Sequence, residues 1–227
     1  MFGNIKNADK NILFTDFMHQ FYGATGGRTD VSYIECQTPS KIQVVTFASG
    51  NRPNFYVTAT IFGSNDNVNY NQLGVCTATS GTSGGQANFE YKDSKYKFYK
   101  ISVYSYGPEQ FAGTCIAIAI RDNTQLFNKY WSGNLSETVT IDYKKKTGLV
   151  LYANGKGWES GGLNYKVYGS NDGVNFTNCL LTASGGGTMG SGYSKEILLT
   201  KYRYYKVDYE NVGGRYPQAS FVFFNLF

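Results

Sequence analysis

The sequence has few of the residues from which catalytic and metal centres are built. His19 is its single histidine, and none of its four cysteines is spaced as a Cys-x-x-Cys pair. These absences exclude a histidine-rich metal centre and a zinc ribbon, and they argue against a Ser-His-Asp triad. No nucleophile elbow, phosphate loop or His-Glu-x-x-His motif is present. We therefore predict a protein that is not an enzyme and that holds no cofactor and no metal ion.

Two further absences concern where the chain resides. No run approaches the roughly 18 apolar residues of a membrane span, and no apolar signal-peptide core follows the first ten residues. The sequence thus predicts synthesis in the host cytoplasm and no insertion into a membrane. The cysteines would allow three disulfide pairings, but we expect buried or free thiols. They are Cys36, Cys76, Cys115 and Cys179.

Aromatic residues and glycine are abundant. The chain has 20 tyrosines, 16 phenylalanines and 27 glycines but only 4 prolines. This combination is typical of β-strands joined by glycine-rich turns. The net charge of +5 is spread along the chain, except for the run Lys144–Lys146. Such a run is typical of a solvated turn, so we expect no nucleic-acid partner.

An internal repeat is visible at a spacing of 106 residues, from position 62 to position 168. Residues 62–70 are Phe-Gly-Ser-Asn-Asp-Asn-Val-Asn-Tyr, and residues 168–176 are Tyr-Gly-Ser-Asn-Asp-Gly-Val-Asn-Phe. The same spacing relates residues 95–103 to residues 201–209. The repeat predicts two domains, 1–121 and 122–227, with an N-terminal arm of about ten residues on the first.

Hydrophobic residues alternate with polar ones in both repeats. Val57, Ala59 and Ile61 alternate with Tyr56, Thr58 and Thr60, and residues 163–167 and 205–209 follow the same period. A period of two indicates strands with one buried and one wet face. No segment shows a convincing helical period. The sequence therefore predicts an all-β protein made of two tandem jelly-roll β-sandwiches.

Residues 167–176 resemble the signature hairpin of discoidin domains, the type C domains of coagulation factors, which belong to the galactose-binding-like sandwiches. In that family a strand ends in Gly-Ser-Asn-Asp-Gly and resumes after the turn at an aromatic residue. Asn and Asp side chains are expected to cap the turn, and Gly is expected to take a positive φ. Residues 201–207 resemble a later strand of the same family. The resemblance implies binding of a glycan, an anionic phospholipid or a protein through loops at one end of the sandwich.

The candidate binding residues come from glycine-rich loops. Trp158 and Glu159 stand among glycines, where an indole face could stack on a sugar and a carboxylate could accept hydroxyl hydrogen bonds. The alternative is that Trp158 packs over the end of its own sandwich. The matching loop of the first repeat has Asn51 and Arg52. Residues 106–111 and 213–218 precede each last strand and add further candidates. These are Tyr106, Arg215 and Tyr216.

Two functions remain open from the sequence. The first is adhesion to a cell-surface polysaccharide by a phage virion component, such as a tail, fibre or capsid-decoration protein. The second is a purely structural virion protein whose sandwiches dock to other subunits without binding sugar. Either function predicts a homo-oligomer or attachment to a larger assembly. The predicted location is the virion, with the cytoplasm as the alternative.

Overall fold

The chain divides into two compact units, unit 1 (Met1–Asn123) and unit 2 (Thr124–Phe227). The structure is a computed structural model, and it describes residues 14–22, 26–50, 55–80, 85–107, 111–120, 124–185 and 191–226. The expected N-terminal arm lies outside these residues. Within them the regular structure is entirely β, as the sequence predicts, and no helix long and apolar enough to cross a membrane is found.

Ten strands follow one another along the chain. Those of unit 1 are β1 (Phe14–Tyr22), β2 (Gly26–Gly50), β3 (Phe55–Ser64), β4 (Asn71–Ser80), β5 (Gly85–Gly107) and β6 (Phe111–Ile120). Those of unit 2 are β7 (Leu126–Ser132), β8 (Leu135–Ser170), β9 (Asn178–Gly185) and β10 (Ser191–Asn225). Among the described residues, paired strands run antiparallel.

The sheet of unit 1 forms two layers, because β2 and β5 are long enough to contribute to both. In the first layer the order is β1, β6, residues 41–50 of β2 and residues 85–91 of β5. In the second layer the order is residues 26–35 of β2, residues 98–107 of β5, β3 and β4. The register shifts between Glu35 and Ile42, where β2 passes from one layer to the other. Long strands commonly change layers at such irregularities.

Unit 2 repeats this arrangement with fewer, longer strands. Its first layer contains β7, residues 218–224 of β10, residues 149–156 of β8 and residues 191–198 of β10. Its second layer contains residues 135–142 of β8, residues 204–211 of β10, residues 163–170 of β8 and β9. In each unit the segments pair in the order of a jelly roll. The predicted fold class, an all-β sandwich, is confirmed.

Each unit has its own core between its two layers. In unit 1 the core joins Val44 and Ala117 of the first layer to Val57, Ala59 and Ile101 of the second. In unit 2 it joins Leu151 and Phe223 of the first layer to Val167 and Val207 of the second. Strand β3 is buried at every second position from Phe55 to Ile61, so its period of two does have one wet face. Residues 221–226 of β10 are buried on both faces, as their continuous apolar run predicts.

The Ser-Asn-Asp turn is built in the same way in both units. In unit 2 the Asp172 carboxylate accepts hydrogen bonds from the N–H groups of Val174 and Asn175, each at 2.9 Å, and from the Ser170 hydroxyl at 2.6 Å. Gly173 has a φ of 78°, as the sequence predicts, and Asn67 takes that place in unit 1 with a φ of 63°. The predicted capping by the Asp side chain and the predicted positive φ of the glycine are confirmed. Both features stabilise the turn itself.

A tyrosine ring covers the glycine that begins each turn motif. A Cβ added to Gly63 would lie 2.5 Å from the ring of Tyr96, and one added to Gly169 would lie 2.2 Å from the ring of Tyr202. Only glycine leaves room for these rings. In each unit a tyrosine ring thus packs on a glycine next to the register shift in the second layer.

A buried tyrosine ties the two layers together at the same place in each unit. The Tyr99 hydroxyl donates to the Ser40 carbonyl at 2.5 Å, and the Tyr205 hydroxyl donates to the Thr147 carbonyl at 2.6 Å. Both rings are fully buried. In each unit a tyrosine hydroxyl therefore satisfies a backbone carbonyl where the chain passes from one layer to the other.

Candidate functional site

Three tyrosines lie side by side on the outer face of the second layer of unit 1. Tyr56 of β3 is paired in register with Tyr106 of β5, and their ring centroids are 5.6 Å apart. The ring of Tyr104 lies 5.8 Å from that of Tyr56 on the other side. Tyr106 is 42% exposed, and Tyr56 and Tyr104 are half-buried. We call Tyr56, Tyr104 and Tyr106 the tyrosine face.

Two threonine hydroxyls lie beside these rings. Thr58 is paired in register with Tyr104 and with Thr77 of β4, and the two threonine hydroxyls are 3.1 Å apart. Partial burial, followed by the proximity of Tyr104, raises the pKa of Tyr56 above its ordinary value of 10.0. Its phenol is therefore neutral at physiological pH and can both donate and accept a hydrogen bond. The face thus combines aromatic area with uncharged polar groups.

A glycine makes room for one of the three rings. Gly27 lies on the strand next to Tyr104, and a Cβ added there would lie 2.2 Å from the Tyr104 hydroxyl oxygen. The phenol end of Tyr104 therefore reaches over the backbone of β2 at Gly27, where a side chain would displace it.

A second aromatic group on the same face has a counterpart in unit 2. Lys100 lies 4.2 Å from the ring centroid of Phe62 and 5.1 Å from that of Tyr70. In unit 2, Lys206 lies 4.3 Å from the ring centroid of Tyr168. Because both units contain this lysine contact next to the Ser-Asn-Asp turn, we assign it to the support of the turn.

The tyrosine face has no counterpart in unit 2. Tyr104 is paired with Thr58 in β3, and at the same register in unit 2 Glu210 is paired with Asn164. The next outward rung pairs Ser102 with Thr60 in unit 1. Its equivalent in unit 2 pairs Asp208 with Lys166, and Asp208 also lies 3.4 Å from the amine of Lys206. Unit 2 therefore presents charges where unit 1 presents hydroxyls and rings.

The candidate residues of unit 2 lie in strands and not in the loops expected from the sequence. Trp158 and Glu159 belong to β8, and Arg215 and Tyr216 belong to β10. Trp158 is paired in register with Arg215, so the fold does bring these two predicted residues together. The structure describes only the backbone here. The pairing is irregular on both sides of Arg215, and the glycines in these segments allow the strands to bend instead of ending.

The candidates of unit 1 have different outcomes. Tyr106 lies in β5 and not in the expected turn, and it is part of the tyrosine face. Asn51 and Arg52 lie outside the described residues. Tyr56 and Tyr104 are not among the site residues predicted from the sequence. Their positions opposite Val57 and Val103 in the alternating pattern would have indicated an outward side chain.

Two of the described carboxyl groups, Asp142 and Glu137, are placed for structure. Arg203 binds both carboxylate oxygens of Asp142 at 2.9 Å, and this pair holds the pKa of Asp142 well below its usual range. Glu137 accepts hydrogen bonds from Lys129 and Tyr209, which lower its pKa. A glycosidase acid would need a raised pKa, and these carboxyls have the opposite shift.

The cysteines and the histidine all lie in strands. Cys36, Cys76 and Cys115 are buried thiols, and Cys179 is an exposed thiol, as predicted. Burial raises the pKa of Cys36 to about 11, so its thiol is protonated and unreactive. His19 lies in β1. Among the described residues no group of histidine, cysteine and acidic side chains is placed to hold a metal ion.

Comparisons with known proteins find no relative in sequence. No family model matches the chain, and no curated protein matches it. The solved structures that resemble it include a protein of unknown function from Pseudomonas aeruginosa. That protein is 8% identical, with 96% of this chain and 84% of the other covered and a TM-score of 0.37.

Two other similar structures are a binding module and a capsid protein. TmCBM61, solved with β-1,4-galactotriose, is 12% identical over 48% of this chain and 70% of its own, with a TM-score of 0.30. VP2 of infectious bursal disease virus is 10% identical over 99% of this chain and 75% of its own, with a TM-score of 0.28. At these TM-scores the likenesses carry no argument about the function of this chain.

Proposed function

We propose that this protein is a non-catalytic binding protein that recognises a surface glycan through the tyrosine face of unit 1. The observation that carries the proposal is the cluster of Tyr56, Tyr104 and Tyr106 on an outer sheet face, at ring separations of 5.6 and 5.8 Å. Protein cores bury such rings, whereas here one ring is 42% exposed and two are half-buried. Exposed aromatic clusters on a rigid sheet are typical of binding sites.

The chemistry of the face suits a sugar. The C–H groups of a pyranose ring can pack on a tyrosine ring, while its hydroxyls exchange hydrogen bonds with phenol and threonine hydroxyls. Thr58 and Thr77 supply such hydroxyls on the rung of Tyr104. Because the three rings are held on paired strands, little side-chain freedom is lost when a ligand binds.

The test is a binding screen of the purified chain against cell-wall and capsular polysaccharides. We expect saturable binding that Tyr104→Ala together with Tyr106→Ala weakens on the order of tenfold or more. Glu210→Ala is the matched control, because it changes the position of unit 2 equivalent to Tyr104 and should leave affinity unchanged. Thermal unfolding of each variant shows whether the fold is intact.

Other variants separate this site from the one predicted in unit 2. Binding that survives in the tyrosine variant and disappears in Trp158→Ala would place the site at the Trp158–Arg215 pair. Absence of binding to every polysaccharide by the folded protein would contradict the proposal. Trp158, Glu159, Arg215 and Tyr216 remain a second proposed site.

A structural virion protein is the second candidate function. Val31 and Val75, which are 48% and 50% exposed, flank the tyrosine face on the neighbouring strands and could pack against another subunit. This candidate predicts oligomers or a co-purifying virion protein and no affinity for polysaccharide. The virion location, the phage origin and the oligomeric assembly stay predictions from the sequence.

A further inference from the structure

The two units offer the same sheet face with different charges. Four central outward positions are uncharged in unit 1, whereas three of their equivalents are charged in unit 2. They are Thr58, Thr60, Ser102 and Tyr104 in unit 1, and Asn164, Lys166, Asp208 and Glu210 in unit 2. The registers of the two sets match pair by pair, so the difference lies in the side chains and not in the fold.

Asp208 of unit 2 is engaged with two neighbouring side chains. Asp208 lies 3.4 Å from the amine of Lys206 and accepts a hydrogen bond from the Thr138 hydroxyl at 2.7 Å. A neutral sugar that covered this face would remove water from the charges without supplying a counter-charge. That desolvation opposes binding. The unit 2 face is therefore unsuited to a neutral ligand.

The unit 1 face imposes no such cost around its tyrosines. Its described outward charges lie toward the far end, where Lys100 contacts Phe62 and Tyr70, and Glu35 is exposed on the edge-side strand. Arg28 and Asp30 lie at the alternate positions of β2 and pair with each other at 2.8 Å. An anionic polymer would meet Glu35 and the phenols, and Lys100 is already covered by two rings. The charge distribution thus disfavours carboxylated, sulfated or phosphorylated glycans.

We propose that the tyrosine face selects uncharged polysaccharides, and that the charged face of unit 2 excludes them. This inference rests on the proposed function and adds the class of ligand and the division between the units. The net charge of +5 alone would instead favour anionic polymers, so the inference runs against the simplest expectation from composition. The local absence of charge around the rings, and not the charge of the whole chain, decides the ligand class.

The experiment gives the unit 1 face the charges of unit 2. The full chain and its Thr60→Lys/Ser102→Asp variant are titrated with a neutral polysaccharide and with a carboxylated derivative of the same polymer, at low and high ionic strength. We expect the parent to prefer the neutral polymer, with an affinity insensitive to salt. The variant should bind that polymer about tenfold more weakly. The reverse exchange, Lys166→Thr/Asp208→Ser, should leave binding by the parent site unchanged.

Each outcome decides between the inference and the proposed function. Preference for the carboxylated polymer, lost at high salt and lost in Tyr104→Ala/Tyr106→Ala, would overturn the ligand class and leave the site in place. Full affinity of Thr60→Lys/Ser102→Asp for the neutral polymer would also overturn it. No binding to either polymer would contradict the proposed function itself. If the double variant unfolds, Thr60→Lys alone repeats the test at a single outward position.

Discussion

One carboxylate organises the Ser-Asn-Asp turn of unit 2. Asp172 accepts hydrogen bonds from Ser170, from the backbone of Val174 and Asn175, and from the Asn175 amide at 2.7 Å. The hydrogen bond from Ser170, with those from the backbone N–H groups, lowers the pKa of Asp172 well below its usual range. Because the carboxylate form is the one that holds the turn, the turn depends on pH.

We expect Asp172→Asn to lower the stability of unit 2 at neutral pH and to flatten its acid dependence. The folded pKa lies below the unfolded value of about 3.9, so the stabilisation is present above that pH and is lost as the pH falls toward the folded pKa. Thermal unfolding followed from neutral pH to about pH 2 measures both effects. Glu210→Gln removes the same charge from an exposed position on the sheet face. An equal loss in Glu210→Gln would show that net charge, and not the turn, is responsible.

At the scale of the strands, a glycine and a tyrosine are matched across β8 and β10. A methyl group added to Gly169 would lie 2.2 Å from a ring carbon of Tyr202, and the ring would have to move. We expect Gly169→Ala to destabilise unit 2 by about 1–3 kcal/mol, as overpacking usually does. Trp131 and Trp158 are the two tryptophans of the chain and both belong to unit 2, so tryptophan fluorescence in urea reports this unfolding.

A double-mutant cycle separates the ring contact from a general cost of alanine in the strand. Gly169→Ala should cost much less in a Tyr202→Ala background, because the clashing ring is gone. The same cost in both backgrounds would show that Tyr202 is not the cause. Gly63→Ala with Tyr96→Ala repeats the cycle in unit 1, where circular dichroism replaces fluorescence.

The strands also show what sequence reasoning could and could not predict. The alternation at Val57, Ala59 and Ile61 identified a strand with a wet face, because burial at every second residue is a local property. The tyrosine face escaped prediction because Tyr56 and Tyr106 meet only through the register of β3 and β5, which no local pattern encodes. The segments around Trp158 and Arg215 were expected as loops, since their glycines are typical of turns. Here those glycines let two long strands bend.

At the scale of the whole molecule, both units have the same jelly-roll pairing, but the outward side chains of their second layers differ. The turn, the ring over glycine and the buried tyrosine hydroxyl occur in both units, which indicates that they maintain the fold. On the outer face the two units differ in charge at equivalent registers, where Thr60 and Ser102 of unit 1 correspond to Lys166 and Asp208 of unit 2. Features that occur in both units are best explained by the shared fold. Surface residues that occur in only one unit are the better candidates for function.

This division predicts the stoichiometry of binding. Since only unit 1 presents the tyrosine face, calorimetric titration with a short neutral oligosaccharide should give one site per chain, and Tyr104→Ala/Tyr106→Ala should abolish the heat of binding. The complementary variant, Glu210→Tyr, places a tyrosine in unit 2 at the register equivalent to Tyr104. It should leave one site, because Lys166 and Asp208 still charge that face. Two sites in the parent, reduced to one by Trp158→Ala, would show that unit 2 binds through the Trp158–Arg215 pair and that the units do not divide the work as proposed.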